Sequence, residues 1–289
     1  MIGLRSFLFV PGDRADRIAK ARSGPAHAVV VDLEDAVAPA AKDGARGSAA
    51  AAIGGRPRNG GPLLAVRVNG VASGLLEDDL AALEPVLHRL GLIVLPMVSG
   101  PADVAAAAAL LGAAERRAGV ERPRGLLPLI ETARGVLAAP EIAAADERVA
   151  TLSVGPADLS AELGVEPTAR GEALEHARSR LVLACAAAGL GAPIDGPFLD
   201  VRDHEGMLLA AARARLLGFA GKMALHPAQV EAVNAEFAPT EAELRRAREV
   251  DRAFRAAEAR GVASIALADG TFVDPPVAAR ARSVLERAR

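Results

Sequence analysis

Short apolar runs alternate with longer stretches of helical periodicity along most of this chain. Eight runs of four to six residues, rich in small and branched apolar side chains and bounded by Gly, Pro or charge, have the pattern of buried strands. These predicted strands cover residues 5–10, 27–31, 63–68, 92–95, 126–130, 149–154, 191–194 and 220–224. Predicted helices separate them, over residues 14–23, 40–52, 75–90, 102–118, 133–145, 169–188 and 204–217.

Eight strands with intervening helices predict an α/β fold, a parallel (β/α)8 TIM barrel, and the length of the chain suits that fold. The alternative is an open, doubly wound sheet. It is disfavoured because no Gly-x-Gly-x-x-Gly follows the first strand and the chain has no Walker loop. Residues 54–61, where paired glycines flank Arg56 and Pro57, are predicted to form a loop.

The carboxyl-terminal segment departs from the barrel pattern. A charged amphipathic helix is predicted over residues 240–260, with Thr240 as its cap. Two apolar runs then surround Asp269-Gly270, a strong hairpin signal, and a last helix is predicted from residue 277. We therefore divide the chain into a barrel domain, residues 1–238, and a helix–hairpin–helix arm, residues 239–289, which either covers the barrel mouth or reaches a neighbouring subunit.

Composition excludes several classes of protein. The chain has 289 residues, 51% of them hydrophobic, and a formal net charge of −2, so neither a nucleic-acid nor a membrane partner is expected. The first ten residues lack the pattern of a signal peptide, and no apolar run is long enough to span a membrane. The single cysteine, Cys185, indicates a reducing compartment, and we expect a cytoplasmic location.

Two acidic residues follow neighbouring predicted strands. Glu131 comes directly after the strand 126–130, and Asp158 follows the strand 149–154 after the turn Gly155-Pro156-Ala157. Adjacent parallel strands lie about 4.8 Å apart, so two such carboxylates repel unless one is protonated or a cation lies between them. This spacing points to a hard divalent cation, Mg²⁺ first. The alternative is that Asp158 caps the helix that follows it.

Charged residues also follow other strands. Arg67 lies in the third predicted strand, and its planar fork suits a substrate carboxylate. An ion pair with the acids after the second strand, Asp32, Glu34 and Asp35, is the alternative. Near the eighth strand lie Lys222 and His226, for which a structural role stays open.

These residues belong to motifs of a known family. The chain resembles the citrate lyase beta subunit-like proteins of the HpcH/HpaI aldolase/citrate lyase superfamily, which also holds malyl-CoA and citramalyl-CoA lyases. The matching stretches are residues 6–12 (SFLFVPG), 31–37 (VDLEDAV), 66–70 (VRVNG), 127–133 (LPLIETA), 155–159 (GPADL), 218–229 (GFAGKMALHPAQ) and 269–275 (DGTFVDP). The resemblance implies a (β/α)8 barrel that uses Mg²⁺ and assembles as a homotrimer or hexamer.

The resemblance also implies roles at the site. The acids that match Glu131 and Asp158 bind the metal, and the arginine that matches Arg67 holds the substrate. The acids that match Glu34 and Asp35 line the same site, partly through metal-bound water.

Further implied roles involve the first helix and the arm. Arg17 and Lys20 match basic residues near the phosphates of coenzyme A, and Pro11 is assigned with them to substrate or coenzyme A binding. The aspartate that matches Asp274 transfers a proton in the site of a neighbouring subunit, although Asp274 is also well placed to cap the last helix. One departure is Met97, since the family usually has lysine after this Leu-Pro.

The implied function is a Mg²⁺-dependent carbon–carbon lyase that cleaves a 3-hydroxyacyl thioester of the citryl-, malyl- or citramalyl-CoA type to an acyl thioester and a 2-oxo acid. Three alternatives stay open. They are a malate synthase or thioesterase-like activity on malyl-CoA, an aldolase acting on free acids, and a citrate lyase subunit that depends on an acyl carrier protein.

Overall fold

The computed structural model describes residues 3–55, 61–166 and 168–288, which belong to two compact units. The larger unit, Leu4–Phe237, contains a closed barrel of parallel strands in which each strand pairs with the next and the eighth pairs with the first. The strands are β1 (Ser6–Pro11), β2 (Ala28–Asp32), β3 (Leu63–Arg67), β4 (Leu92–Leu95), β5 (Gly125–Ile130), β6 (Ser153–Val154), β7 (Ile194–Asp195) and β8 (Gly221–Ala224). The predicted (β/α)8 barrel is confirmed.

Both faces of the barrel wall are buried. Every residue of β2 and of β4 is buried, because one face points into the barrel and the other packs under the helices. Side chains such as Phe7, Val30 and Leu127 form an interior cluster that is separate from the larger layer beneath the helices. This two-sided burial explains why the strands appear in the sequence as continuous apolar runs and not as alternating ones.

The sixth and seventh strands are shorter than predicted. Of the predicted strand 149–154, only its last two residues form β6, while Val149 makes an isolated parallel bridge to Leu126. The predicted strand 191–194 is regular only from Ile194, because Pro193 has no N–H to donate to a ladder. The two acids that follow β5 and β6 still leave the barrel at the same end.

Helices surround the barrel. They are α1 (Ala15–Arg22), α2 (Lys42–Gly54), α3 (Leu76–Leu83), α4 (Pro101–Arg117), α5 (Ala133–Leu137), α6 (Ala139–Ala143), α7 (Pro156–Leu163), α8 (Glu175–Ala187), α9 (His204–Leu217) and α10 (Pro227–Phe237). Two predicted helices are broken near prolines: the stretch 75–90 continues beyond Leu83 as a 3-10 helix containing Pro85, and 133–145 divides at Ala138, just before Pro140. The predicted loop at 54–61 falls largely on residues 56–60, which lie outside the described residues.

Two short helices closely follow strand ends. Both α7 and α10 begin at a proline, Pro156 and Pro227, whose fixed φ and missing N–H suit the first position of a helix. Because α7 follows β6 so closely, Asp158 lies within the first turn of a helix and not in a loop.

The smaller unit includes Gly3 and the segment that starts at Ala238, and it contains α11 (Glu241–Glu258), β9 (Ile265–Ala266), β10 (Phe272–Val273) and α12 (Pro275–Glu286). Thr240 caps α11, as predicted, and forms a capping box with Glu243. The antiparallel β9–β10 hairpin turns through Gly270 at φ 83°. The predicted helix–hairpin–helix arrangement is confirmed. The last helix starts at Pro275, two residues earlier than predicted, with Asp274 as its cap.

The single cysteine has a structural position. Cys185 is a free, buried thiol in α8. Burial raises the pKa of the Cys185 thiol, so it is a poor nucleophile. No helix in the described part of the chain combines the length and apolar character needed to cross a membrane.

Candidate active site

Arg67 ends β3 directly opposite Asp32 at the end of β2. Its Nε donates to Asp32 Oδ1 at 2.8 Å and its Nη2 to Asp32 Oδ2 at 2.5 Å. Its Nη1 lies 2.6 Å from Glu34 Oε2 and donates to Asp35 Oδ2 at 3.2 Å, and the guanidinium carbon lies 5.2 Å from the centre of the Phe9 ring. The ion-pair alternative for Arg67 is therefore present in this structure.

The environment keeps Arg67 charged. Burial opposes the charge, but the hydrogen bonds and negative charge of Asp32, with the charges of Glu34 and Asp35, outweigh it and raise the pKa of Arg67. Asp32 also accepts the backbone N–H groups of Glu34 and Ala36, which ties the loop after β2 to the arginine. The side chain of Arg67 remains 11% exposed and lines the cavity described below.

The surroundings of Glu34 oppose its ionisation. Burial raises its pKa to about 7, with the neighbouring acids Asp35 and Asp32 adding to the rise and Arg67 opposing it. Its Oε2 is buried and accepts no hydrogen bond from the described residues. The Arg67 guanidinium lies close to this oxygen, but the ion pair is poorly aligned for a hydrogen bond. A buried carboxylate oxygen without a donor is a natural acceptor for an ordered water.

Glu131 is buried at the end of β5, with 3% of its surface exposed. Its Oε1 accepts the backbone N–H of Met97 at 2.7 Å. The pKa of Glu131 is raised to about 8: burial is the main cause, the nearby charges of Asp158 and Glu34 add to the rise, and the Met97 N–H and Arg67 oppose it. Met97 makes this bond from a left-handed backbone, φ 56°, which a non-glycine residue adopts only at a cost.

Gly155 makes room for Glu131. A Cβ at position 155 would lie 2.2 Å from Glu131 Oε2 and 2.5 Å from its Cβ, so any side chain there would displace the glutamate. The φ of Gly155 is −100°, which other residues can adopt, and close approach is thus the reason for glycine. The backbone after β6 therefore packs closely against the carboxylate of Glu131 at the end of the neighbouring strand β5.

Asp158 and Asp103 occupy the same position in two copies of one sequence motif, but their hydrogen bonds differ. The sequence Gly-Pro-Ala-Asp begins both α4 (100–103) and α7 (155–158). In α4, Asp103 accepts the backbone N–H groups of Ser99 and Gly100, as a capping residue does. Asp158 accepts no such bond from the described residues, and its side chain is exposed. The N-cap alternative for Asp158 is wrong, because Gly155 occupies the cap position and Asp158 lies within the first turn of α7.

One cavity of about 470 Å³ at the carboxyl ends of the strands collects most of the predicted site residues. Among those that line it are Pro11, Arg17, Asp35, Arg67, Glu131 and Asp158. Lys20 and Glu34 are not among its lining residues, although Glu34 contacts Arg67. Asp274 belongs to the smaller unit, where its carboxylate accepts the Val277 N–H at 3.1 Å and caps α12.

Lys222 and His226 have structural partners. The Nζ of Lys222 is buried and bonds Asp195 at the end of β7 and the carbonyl oxygen of Gly196 at 2.7 Å. Asp195 also accepts from Arg178, so the three charges form a closed network. His226 is exposed, and its Nδ1 accepts the Ala228 N–H at the start of α10.

Two features of the site were not found from the sequence. The Met97 N–H donor depends on a backbone conformation that no local pattern indicates. The difference between Asp103 and Asp158 was also not found. The repeated Gly-Pro-Ala-Asp motif indicates both helix starts, but it does not predict which aspartate accepts capping hydrogen bonds.

The donors at this cavity fit a hard cation. Magnesium prefers carboxylate oxygens and commonly takes one or two of them from the protein, with water and substrate completing its shell. Glu131 and Asp158 offer such a pair. Across the described residues, no group of three acids, histidines or cysteines forms a metal site from protein ligands alone. A two-carboxylate site open to a cavity leaves room for a substrate to bind the same ion.

This geometry defines a class of protein: a (β/α)8-barrel enzyme in which acids at the strand ends face an arginine across one cavity. Residues 5–227 match the HpcH/HpaI aldolase/citrate lyase family, and the chain belongs to that family. The resemblance inferred from the motifs is thereby confirmed.

Relatives of this family cover nearly the whole chain. The L-malyl-CoA/beta-methylmalyl-CoA lyase of Cereibacter sphaeroides is 37% identical over 89% of this chain and 86% of its own length. A citrate lyase subunit beta-like protein of Deinococcus radiodurans is 38% identical, with 98% and 96% covered. The structure of CitE from Mycobacterium tuberculosis, in complex with magnesium, acetoacetate and coenzyme A, has a TM-score of 0.77 and 32% identity, and covers 99% of this chain and 98% of that one.

Proposed function

We propose that this chain is a Mg²⁺-dependent carbon–carbon lyase that cleaves a 3-hydroxyacyl-CoA thioester into an acyl-CoA and a 2-oxo acid. The observation that carries the proposal is the convergence of Glu131, Asp158 and Arg67 on one cavity. The relatives support a CoA thioester as substrate, since one is named as a malyl-CoA lyase and another was solved with magnesium and coenzyme A. Citryl-, malyl- and citramalyl-CoA are the candidates.

Glu131 and Asp158 would hold the cation. The fit rests on the space that Gly155 leaves for the Glu131 carboxylate and on the absence of a capping bond at Asp158 among the described residues. Bound Mg²⁺ supplies a Lewis acid that polarises the oxygens of the 2-oxo acid. Because the pKa of Glu131 is raised, the protein must release a proton from this carboxyl before it can serve as a ligand near neutral pH.

The proposed cleavage breaks one carbon–carbon bond and moves one proton. The hydroxyl group of the substrate loses its proton, the bond between its carbon and the thioester α-carbon breaks, and the electron pair passes to the α-carbon as an enolate. A proton returned to that carbon completes the acyl thioester. Arg67, which lines the cavity, would orient the substrate carboxylate, while Asp35 and Glu34 hold the arginine in place.

The remaining predicted residues have supporting roles in this proposal. Pro11 and Arg17 line the cavity, and Arg17 and Lys20 are exposed on α1, where they would meet the phosphates of coenzyme A. Asp274 from a neighbouring subunit would return the proton to the enolate. This assignment comes from the family resemblance and competes with the capping role that Asp274 has in α12. A homotrimer or hexamer in the cytoplasm belongs to the same proposal.

The test is an assay of the purified protein with Mg²⁺ and each of malyl-, citramalyl- and citryl-CoA, with free 2-oxo acid and acetyl-CoA measured separately. Equal amounts of both products support the lyase. Release of free coenzyme A in place of acetyl-CoA would identify the thioesterase-like alternative. Activity only on free 2-oxo acids would identify an aldolase, and activity only after an acyl carrier protein is added would identify a complex-dependent subunit.

A further inference from the structure

We infer that Lys42 and Asn69 are positioning residues of the active site, which act on Arg67 through the loop after β2. The inference rests on the proposed function and deepens it, because it names residues outside the cavity that keep the substrate arginine aligned. Neither side chain is among the described residues that line the cavity. Their link to the site is a set of hydrogen bonds that converge on the peptide between Leu33 and Glu34.

The loop after β2 carries three acids that contact Arg67. Asp32 pairs with its Nε and Nη2, and both Glu34 and Asp35 lie against its Nη1. Leu33 lies between these acids, and its N–H donates to the carbonyl oxygen of Arg67 at 2.9 Å. The guanidinium therefore takes its orientation from this loop as well as from β3. Rotation of the peptide that follows Leu33 would move the Glu34 carboxylate away from the arginine.

Lys42 is the first residue of α2, is half-buried, and reaches back to this peptide. Its Nζ donates to the Leu33 and Glu34 carbonyl oxygens, both at 2.8 Å, and to Asn69 Oδ1 at 2.7 Å. An ammonium group has three N–H donors, so all of them are used, and all three acceptors are uncharged. A cation that exchanges water for uncharged acceptors loses hydration, and ordering its long side chain costs entropy. The return on this cost is that two successive carbonyl oxygens of the loop are held.

Asn69 holds the same loop from the end of β3. It follows Arg67 by two residues and is 3% exposed, and its Nδ2 donates to the Leu33 carbonyl oxygen at 3.1 Å. Asp79 in α3 accepts both the backbone N–H and the Nδ2 of Asn69, each at 2.7 Å. A flipped amide would turn Oδ1 toward the Asp79 carboxylate and Nδ2 toward the Lys42 ammonium, and both contacts would be repulsive. The amide therefore has one orientation, which presents a donor to the loop.

Arg46 anchors the network on the side of the helices. Its Nε donates to Asp79 Oδ1 at 2.7 Å, and the two residues are 7% and 0% exposed. The buried charge of Asp79 is thereby paired, so the Asn69 amide is held by a fixed partner in α3 and not by solvent. Hydrogen bonds run from α2 and α3 through Asn69 and Lys42 to the loop that aligns Arg67.

A purely structural role is the alternative, because buried carbonyl oxygens need donors in any fold. The two roles differ in what a variant changes. Lys42→Met keeps the length of the side chain and removes all three donors. A structural role predicts lower thermal stability and unchanged kinetics below the melting temperature. A positioning role predicts a looser loop and a loss of activity that depends on Arg67.

Hydrogen exchange of the metal-free protein measures the loop directly. The backbone N–H groups of Leu33, Glu34 and Ala36 are all hydrogen bonded. In Lys42→Met these amides should exchange on the order of tenfold faster than in the wild type, read by mass spectrometry on peptides that cover residues 32–37. Unchanged exchange in these peptides would overturn the inference.

Two further variants control this measurement. Arg148→Met removes a half-buried cation beside the amino end of β5, where Arg148 Nη1 bonds Glu115 Oε2 at 2.8 Å. It should leave loop exchange and kcat/KM as in the wild type. Lys42→Arg keeps the charge and N–H donors, and should stay within about threefold of the wild type in both readouts.

A double-mutant cycle with Arg67→Lys shows whether Lys42 acts through the arginine. On the preferred CoA thioester with saturating Mg²⁺, Lys42→Met should lower kcat/KM by about tenfold when Arg67 is present. In the Arg67→Lys background the same change should cost less than about twofold, because there is no aligned guanidinium left to disturb. Equal losses in the two backgrounds would overturn the inference and leave Lys42 as a structural residue.

The same variants separate this inference from the lyase proposal. If loop exchange or the cycle fails while the wild type cleaves a thioester, the inference fails and the lyase proposal stands. If the wild type cleaves none of the three thioesters, the lyase proposal fails, and loop exchange together with calorimetric binding of pyruvate and Mg²⁺ in the same cycle decides the inference. If Lys42→Met does not fold, Lys42→Gln, which has a shorter and uncharged donor, takes its place in every measurement.

Discussion

Replacing Glu131 with glutamine is expected to stabilise the metal-free protein at alkaline pH. The glutamate is 3% exposed, and its pKa is raised to about 8 by burial together with the charges of Asp158 and Glu34. Glutamine keeps the shape of the side chain and an oxygen that can accept the Met97 N–H. It cannot ionise, so the cost of a buried negative charge disappears.

The sign of the pH dependence follows from the direction of the shift. The folded pKa of Glu131 lies above the ordinary value of 4.5, so the folded state holds this proton more tightly than the unfolded chain does. The resulting stability is fully present below about pH 4.5 and is lost as the pH rises through about 8. A shift of this size corresponds to a loss on the order of 3 to 5 kcal/mol. For a domain of this size, that is roughly 5 to 15 °C in Tm.

The assay is thermal unfolding followed by circular dichroism in EDTA, from about pH 5.5 to about pH 9. The wild type should lose stability across this range. The Glu131→Gln variant should lose less, because the contribution of Glu131 is gone while that of Glu34, whose pKa is raised to about 7 by burial, remains. Glu147→Gln, which removes an exposed acid, is the matched control and should follow the wild type.

Two results would refute the reasoning. The first is a Glu131→Gln variant that is less stable than the wild type at about pH 9. The second is a variant with the same pH slope as the wild type, since that would mean that Glu131 ionises in the folded protein without cost. Added Mg²⁺ gives a further check, because it should stabilise the wild type more strongly at higher pH and should stabilise the variant much less.

Three further predictions concern the same site. Arg67→Lys should lower kcat/KM by about 10²-fold or more, because lysine cannot make the two-pronged contact, and near-normal kinetics would leave Arg67 as an ion-pair partner of Asp32 alone. Gly155→Ala should weaken Mg²⁺ binding measured by calorimetry, since its Cβ would lie 2.2 Å from Glu131 Oε2, while Gly100→Ala, in the same Gly-Pro-Ala-Asp motif with open space around it, should not. Asp274→Asn should keep the α12 cap and lose nearly all activity, and mixing it with Glu131→Gln protomers in verified mixed oligomers should restore part of the activity. Normal activity of Asp274→Asn would leave Asp274 as a cap, and no recovery on mixing would place it outside a shared site.

Local patterns in the sequence determined the barrel and the positions of its acids. The apolar runs are long enough to be strands, and they are too continuous to have a solvated face. A parallel sheet covered by helices buries both faces of its strands and so accounts for this pattern. Once the strands are parallel, their carboxyl ends must meet at one end of the barrel. Glu131 and Arg67 were therefore predictable as neighbours of one cavity without any knowledge of their contacts. The hairpin at Asp269-Gly270 was equally local, because Gly270 needs φ 83°.

Other features depend on contacts between residues far apart in the chain, and only the tertiary structure decided them. The register of β2 against β3 sets Arg67 opposite Asp32 and so commits one edge of the guanidinium. The Met97 N–H reaches Glu131 only because the loop after β4 adopts a left-handed residue beside β5. Two identical motifs, Gly-Pro-Ala-Asp, end with one aspartate capping a helix and the other free. The motif itself does not separate them: Asp103 accepts N–H groups from its chain neighbours Ser99 and Gly100, whereas at Asp158 the fold brings the cavity that holds Glu131.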